Sequence, residues 1–194
     1  MGRHTAIAVR MAIVTIIIFG IIYPLAMTGI AQVGFSHQAN GSLIREHGKI
    51  IGSELIGQQF TLTGYFHPRP SAAGKGYDAT ASGGSNLGPT NHILINNVKD
   101  RVDLAVRQDP GLHKGQVPVD MVTSSGSGLD PDISVANAYA QVPRVAKVRG
   151  ISEAKVRQLV DRNTTGRTFG FLGESRVNVL KINMALDALS GSLK

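Results

Sequence analysis

With 194 residues, 42% hydrophobic and 17% charged, the chain has the apolar content for a packed core, which excludes wholesale disorder. It has no cysteine, so disulfides, thiol catalysis and cysteine-ligated zinc are excluded. The formal charge of +7 would suit nucleic acid or anionic lipid, but lysine and arginine are spaced singly with no interleaved aromatics, so no nucleic-acid partner is expected.

The first predicted element is a membrane anchor. Residues 11–34 carry no charged side chain. As a helix rising about 1.5 Å per residue they would span roughly 36 Å, enough to cross ~30 Å of hydrocarbon with some tilt. A secretory signal is the competing reading, but its apolar region is about 7–15 residues long and ends in a small-x-small site. Residues 26–33 offer no clean Ala-x-Ala, so an uncleaved, lipid-embedded helix is expected. Arg3 and Arg10 precede it with no acid beside them, whereas Arg45 and Lys49 beyond it are offset by Glu46 and Glu54. Positive flanks stay inside, so residues 1–10 are expected in the cytoplasm and the rest outside the membrane. Gly20, Pro24 and Thr28 fall four apart on one face. That spacing either admits a partner helix or reflects how common glycine and proline are in membrane helices.

Residues 35–48 are polar and read as a stalk, and residues 49–194 read as the extracytoplasmic domain. Its first part, 49–60, mixes apolar pairs with Gly52 and Gly57, consistent with a strand leading into a turn. Residues 65–91 carry Gly74, Gly76, Gly83, Gly84 and Gly88 with Pro68, Pro70 and Pro89, and keep no helical or strand period. A long ordered loop is expected there, and loops of that length tend to be functional. Residues 91–108 are the clearest helix, with Ile95, Val98, Val102 and Ala105 on one face and Lys99/Asp103 and Asp103/Arg107 four apart on the other. Residues 117–122 alternate like a short strand, with Pro118 at its start or edge.

A second glycine-serine loop occupies 123–131. Ser134 then predicts an N-cap for a helix over 135–142, broken or kinked by Pro143 and closed at Gly150. Ser152 caps a further helix to about Arg162, and Val179, Ile182, Leu186 and Leu189 mark an amphipathic C-terminal helix. The expected fold is α+β: one transmembrane helix, then a mixed α/β domain with a small sheet, several helices and two long Gly/Ser-rich loops.

Three chemistries have candidate residues in these elements. The nucleophile elbow Gly-x-Ser-x-Gly fails at Ser85, where the last position is Leu87, and at Ser127, where the first is Ser125. Ser152-Glu153-Ala154-Lys155 matches Ser-x-x-Lys, but a helix cap followed by surface charges gives the same letters and is the preferred reading. His4, His37, His47, His67, His92 and His113 are scattered without ligand spacing. Asp130 and Asp132 could form a weak calcium site, but read better as turn and cap carboxylates. The loop Ser82-Gly83-Gly84-Ser85-Asn86-Leu87-Gly88 could offer backbone N–H groups to an anion ahead of the Asn91 helix, although it lacks the ending of a P-loop. No catalytic constellation and no metal site is expected. A rigid, oxygen-rich binding or accessory subunit is.

Six ordered motifs then make the chain specific. Tyr65-Phe66-His67-Pro68-Arg69-Pro70-Ser71-Ala72 is followed by Ser82 to Pro89 and by Val117-Pro118-Val119-Asp120. Next come Ser125-Gly126-Ser127-Gly128-Leu129-Asp130-Pro131-Asp132-Ile133-Ser134, then Gln141-Val142-Pro143-Arg144-Val145-Ala146, and finally Val177-Asn178-Val179-Leu180. In order and nearly without gaps, from the anchor through Leu189, they closely resemble KdpC, the C-subunit family of the bacterial high-affinity potassium-transporting ATPase. The resemblance implies a single-pass inner-membrane protein in a hetero-oligomer. Its implied partners are a potassium-channel-like subunit, a P-type ATP-hydrolysing subunit and a small single-helix subunit. It implies a chain needed for assembly and activity and not itself catalytic, ATP and potassium being used by the complex. It also implies an alternative, a catalytic chaperone that raises the ATP affinity of the hydrolysing subunit by contacting nucleotide through Ser82, Gly83, Gly84, Ser85 and Asn86, a loop likened to the signature loop of ABC transporters. The orientation read from Arg3 and Arg10 favours a domain outside, over the external mouth of the ion pathway. Arg69, Pro70, Ser71, Ser127, Gly128, Asp130, Gln141 and Arg144 are then expected as interface or fold-determining groups.

Overall fold

The computed structural model describes residues 2–46 and 48–191. His47, one of the scattered histidines, and residues 192–194 of the expected outer domain lie outside them. The chain forms two compact units, Met1–Leu43 and Ile44–Lys194.

The first unit is dominated by one helix of 33 residues, Gly2–Gly34, long and apolar enough to cross a membrane. It comprises α1 (Gly2–Thr15), a π-helical stretch (Ile16–Ile22) and α2 (Tyr23–Gly34). It therefore begins before the charge-free stretch, and Arg3 and Arg10 stand on its first turns. The wide stretch ends just before Pro24, whose missing N–H and ring make an α-helical bond to Gly20 impossible. Thr15 and Thr28 donate their hydroxyls to the carbonyls of Met11 and Pro24, both at 2.8 Å, so neither threonine presents a free hydroxyl to the apolar surroundings. Among the polar residues after the helix, α3 (Ser36–Ala39) makes one further turn, and β1 (Leu43–Glu46) pairs with β2 (Lys49–Ser53).

In the second unit no helix or strand occupies residues 54–91, as the density of glycine and proline predicts. Next come α4 (His92–Gln108), capped by Asn91, and α5 (Val119–Val122). The strand expected at 117–122 is absent. Pro118 instead starts a helical turn, whose Asp120 is held by the residues around Ser134. Six alternating residues carry too little pattern to separate the two outcomes. On α4 the buried position is Ala105, whereas Ile95 is exposed; Asp103 pairs with Lys114 at 2.5 Å rather than with Lys99 or Arg107 on its own helix.

β3 (Asp132–Ser134) leads into α6 (Val135–Arg149), and α7 (Glu153–Arg162), β4 (Thr164–Thr165), β5 (Arg176–Asn178) and α8 (Val179–Ser190) follow. The sheet order is β3-β5-β4, antiparallel, with Ile133 opposite Val177 and Thr164 opposite Val177. α6, α7 and α8 start at side-chain caps, Ser134, Ser152 and Asn178 accepting from the N–H groups of Asn137, Lys155 and Lys181. α6 does not stop at Pro143; it continues to Arg149 and closes at Gly150, whose φ of +66° is the left-handed conformation of a helix C-cap. The core joins Ala138, Val142 and Val145 of α6, Val156 and Val160 of α7, and Val179, Ile182 and Leu186 of α8 with Ile133, Val177 and Phe66.

Candidate functional site

Phe66 is wholly buried, yet it belongs to a segment with no regular structure. Its backbone must find hydrogen bonds elsewhere, because unpaired buried amides cost about 1–3 kcal/mol each. Side chains supply them. Asn183 of α8 accepts from Phe66 N (2.8 Å) and donates to Phe66 O (2.9 Å). Gln141 of α6 does the same for His67, accepting from its N–H (2.7 Å) and donating to its carbonyl (3.1 Å). Arg144 donates to the carbonyls of Thr63 and Tyr65. Arg149 donates to Gly64 O (2.8 Å) and lies over the Tyr65 ring, and the Tyr65 hydroxyl donates to Asp187. Two helices thus hold residues 63–67 as a neighbouring strand would.

The polar stripe on α6 runs further. Asn137, Gln141 and Arg144 lie at i, i+4 and i+7, one helical face. Asp120 accepts from Ser134 N, Ser134 Oγ and Asn137 Nδ2, and Asn137 Oδ1 accepts from Gln141 Nε2. Gln141 Oε1 accepts from Arg144, whose Nε donates to Asp109 at 2.7 Å. The Arg144–Asp109 pair is almost fully enclosed, the side chains 3% and 2% exposed. Burial pushes the Asp109 carboxyl up, and the Arg144 charge beside it opposes the rise. Burial, then the Arg144 charge, lowers His67 to about 4, so its ring is neutral at pH 7 and Nε2 donates to Leu62 O (3.1 Å).

Beyond this anchored segment the two glycine-serine loops are stitched to each other. Arg69 pairs with Asp130 (2.9 Å) and reaches Ser124 O, while its Nε is buried without a partner. Ser71 Oγ donates to Gly128 O (2.6 Å) and accepts from the N–H groups of Ala73 and Tyr77. The Tyr77 hydroxyl donates to Arg69 O, and burial pushes its pKa up to about 12. Ser127 O accepts from Gly83 N (2.8 Å) and Ser82 Oγ (3.0 Å), and Ser127 Oγ accepts from Leu129 N. Two glycines make the approach possible. At Gly128, φ is +68° and a Cβ would stand 2.6 Å from Gly83 O; at Gly84 a Cβ would stand 3.1 Å from Gly126 O. Beside the seam lies an open cleft of about 470 Å³ lined by Arg69, Asp120, Asp130, Asp132, Ser134 and Arg176. Its charged side chains are already engaged: Arg69 with Asp130, Asp132 with Arg176 (2.9 Å) and Asn178, and Asp120 with Ser134 and Asn137.

Compared with known proteins, residues 5–188 match the family model described as KdpC, K+-transporting ATPase, c chain. A potassium-transporting ATPase KdpC subunit of Acidobacterium capsulatum is 56% identical over 187 residues, 96% of this chain and 99% of the relative. Those of Mycobacterium bovis (strain BCG / Pasteur 1173P2) and Mycobacterium tuberculosis (strain ATCC 25618 / H37Rv) are 55% identical over 190 residues, 97% of this chain and all of theirs.

The chain belongs to the KdpC family.

Of the residues on which the KdpC resemblance rests, Arg69, Ser71, Ser127, Gly128 and Asp130 come together at the loop seam, whereas Gln141 and Arg144 on α6 hold the preceding segment, residues 63–67. Pro70 lies elsewhere on the same segment, lining a second cleft with His67, Arg101 and Ala105. Ser82, Gly83 and Gly84 enter the seam, whereas the side chains of Ser85 and Asn86 are exposed beyond it. Asp130 serves as a turn carboxylate, accepting from Asp132 N, and Asp132 pairs instead with Arg176 and Asn178. Among the described residues no group of three or more His, Cys, Asp and Glu is placed to hold a metal ion. Sequence reasoning missed Asn137, Asn183, Arg149 and Asp109. For Asn137 and Asn183 the signal was a polar residue interrupting an otherwise apolar helical face, as Asn183 does between Ile182 and Leu186; Asp109, just past the end of α4, and Arg149, in the last turn of α6, carried none.

Proposed function

We propose that this chain is the accessory, non-catalytic subunit of an ATP-driven potassium-uptake complex, anchored in the plasma membrane with its second unit outside, near the ion entrance. It would assemble with a channel-like subunit, a P-type ATP-hydrolysing subunit and a small single-helix subunit. The observation that carries an accessory reading is where the candidate chemistry goes. Ser127 and Ser152 cap backbone N–H groups, Asp130 is paired with Arg69, and Gln141 and Arg144 hold the backbone of residues 63–67. Each such group has a structural task, and none of them is paired with a second group as a nucleophile is with its base. The outside location rests on Arg3 and Arg10 at the start of a helix whose remaining span is free of charge. ATP and potassium would be handled by the other subunits. Co-expression with those subunits tests this: the chain should co-purify with them, the complex should need it for potassium-stimulated ATP hydrolysis, and the purified chain should hydrolyse none. Turnover by the chain alone, or labelling of Ser85, Ser127 or Ser152 by a fluorophosphonate as an external serine hydrolase would give, contradicts it.

One observation favours the second reading, a catalytic chaperone that contacts nucleotide. Among the described residues the amide groups of 84–88 donate no hydrogen bond, and Ser85 and Asn86 are exposed beside them. Such amides are available to a phosphate. Binding of ATP by the full chain that weakens at least tenfold in the Ser85→Ala/Asn86→Ala variant would make this the better account.

A further inference from the structure

Between β4 and β5 the chain projects a tight finger. Thr168 and Leu172 exchange backbone hydrogen bonds at 2.9 Å in both directions, closing a turn of Phe169, Gly170 and Phe171. At its base Arg167 grips both oxygens of Glu174, at 3.0 and 2.8 Å. The tip presents apolar side chains to solvent: Phe169 is 83% exposed, Phe171 70% and Leu172 50%. Phe169 is also held at φ +54°, a conformation that a bulky residue rarely adopts. Nothing in the packing of the domain needs these side chains, since none joins its core.

We propose that this finger is an anchor that inserts into an apolar socket on another membrane-embedded subunit of the transporter. The inference rests on the reading of the chain as a subunit of that complex. Three observations choose this occupant. First, area: at about 200 Å² per aromatic side chain, the two phenylalanines offer roughly 300 Å². A stable pairing of two copies needs about 800 Å² from each, so self-association through the tip is too small. A small contact suffices when both partners are already confined to one membrane, because the tether makes the second contact effectively intramolecular, and Gly2–Gly34 supplies such a tether. Second, charge: the one cation at the base, Arg167, is engaged by Glu174, whose side chain is 82% exposed. The finger thus has no free cation for a lipid phosphate and an acid where anionic headgroups would lie, unlike segments that bind membrane surfaces. Third, shape: a bilayer accepts an apolar tip in any conformation, whereas a strained, ion-paired turn is a fixed shape that a fitted pocket rewards.

The test uses the full chain co-expressed with the other subunits, with Phe171→p-benzoylphenylalanine as photo-crosslinker and the same probe at Val119, an exposed apolar site elsewhere on the domain (74%), as control. The expected result is a single protein adduct to another subunit from position 171 and none of comparable yield from 119. Phe169→Ser/Phe171→Ser is expected to speed dissociation of the chain from the purified complex about 30-fold or more, as removal of a buried aromatic anchor does. Its melting temperature should stay within about 2 °C of the unsubstituted chain, because the side chains are exposed. Adducts to lipid or to a second copy, equal adducts from both positions, or unchanged dissociation would overturn the inference while leaving the accessory role standing. Failure of the unsubstituted chain to co-purify would overturn both.

Discussion

Replacing Arg144 with methionine keeps much of the side chain's apolar length and removes its guanidinium. In the folded domain that group donates to Asp109, Gln141 and the carbonyls of Thr63 and Tyr65, with only 3% of its surface exposed. The variant leaves a carboxylate and two carbonyls enclosed without their donor. Breaking one half of such a pair costs about 3–5 kcal/mol, a large part of the total stability of a typical domain. With a urea slope of about 2 kcal/mol/M the unfolding midpoint should fall by roughly 2 M. Near-ultraviolet circular dichroism of the full chain in detergent follows this, because Tyr65, Tyr77 and Tyr139 lie in the second unit and only Tyr23 lies in the helix. The Asp109→Leu/Arg144→Met variant should recover about 1–3 kcal/mol, since it no longer buries an abandoned carboxylate. Burial already raises the Asp109 pKa, so without Arg144 the carboxyl takes up a proton in the fold and the deficit of Arg144→Met should shrink as pH falls from 7 toward 5. A loss below about 1 kcal/mol, or a double variant that costs the sum of the two singles, would refute the view that this network holds residues 63–67 in place.

Gly128→Ala should cost about 2–4 kcal/mol and lower the melting temperature, since its Cβ would sit 2.6 Å from Gly83 O at a φ of +68°. Asn183→Ala frees both polar groups of Phe66, 2.8 and 2.9 Å from the amide, and should cost about 2–4 kcal/mol in the same urea assay. His67 is lowered from 6.5 to about 4 in the fold, so its neutral form stabilises the native state. That contribution is complete above pH 6.5 and is lost as pH falls toward 4, by roughly 3 kcal/mol at most, a slope that His67→Phe should flatten in unfolding curves taken across this range.

Much of the architecture was legible because it rests on local signals. Ser134, Ser152 and Asn91 sit at true helix starts, and Val179, Ile182 and Leu186 recur at helical spacing and are buried. Of two local readings, a break at Pro143 and a strand over 117–122, neither is found, and distant contacts prevail at both. Pro143 does not end α6, because Gln141 and Arg144 on either side of it are tied to residues 63–67 and Asp109, which holds the turn together despite the missing N–H. Residues 117–122 do not form a strand, because Asp120 is fixed by Ser134 and Asn137. The seam of the candidate site was legible as motifs but not as geometry. That Ser71 meets Gly128, or Arg69 meets Asp130, joins residues 57 and 61 apart in sequence, and no short-range pattern records such a meeting.

A membrane anchor with its folded unit on the outer side is what separates an ion-entrance role from direct work on nucleotide. The chain has no cysteine, so a single introduced one reports its own location. In intact spheroplasts a membrane-impermeant maleimide should label Ser85→Cys fully and His4→Cys only after permeabilisation. Labelling of His4→Cys in intact spheroplasts, with Ser85→Cys protected until they are opened, would contradict the account.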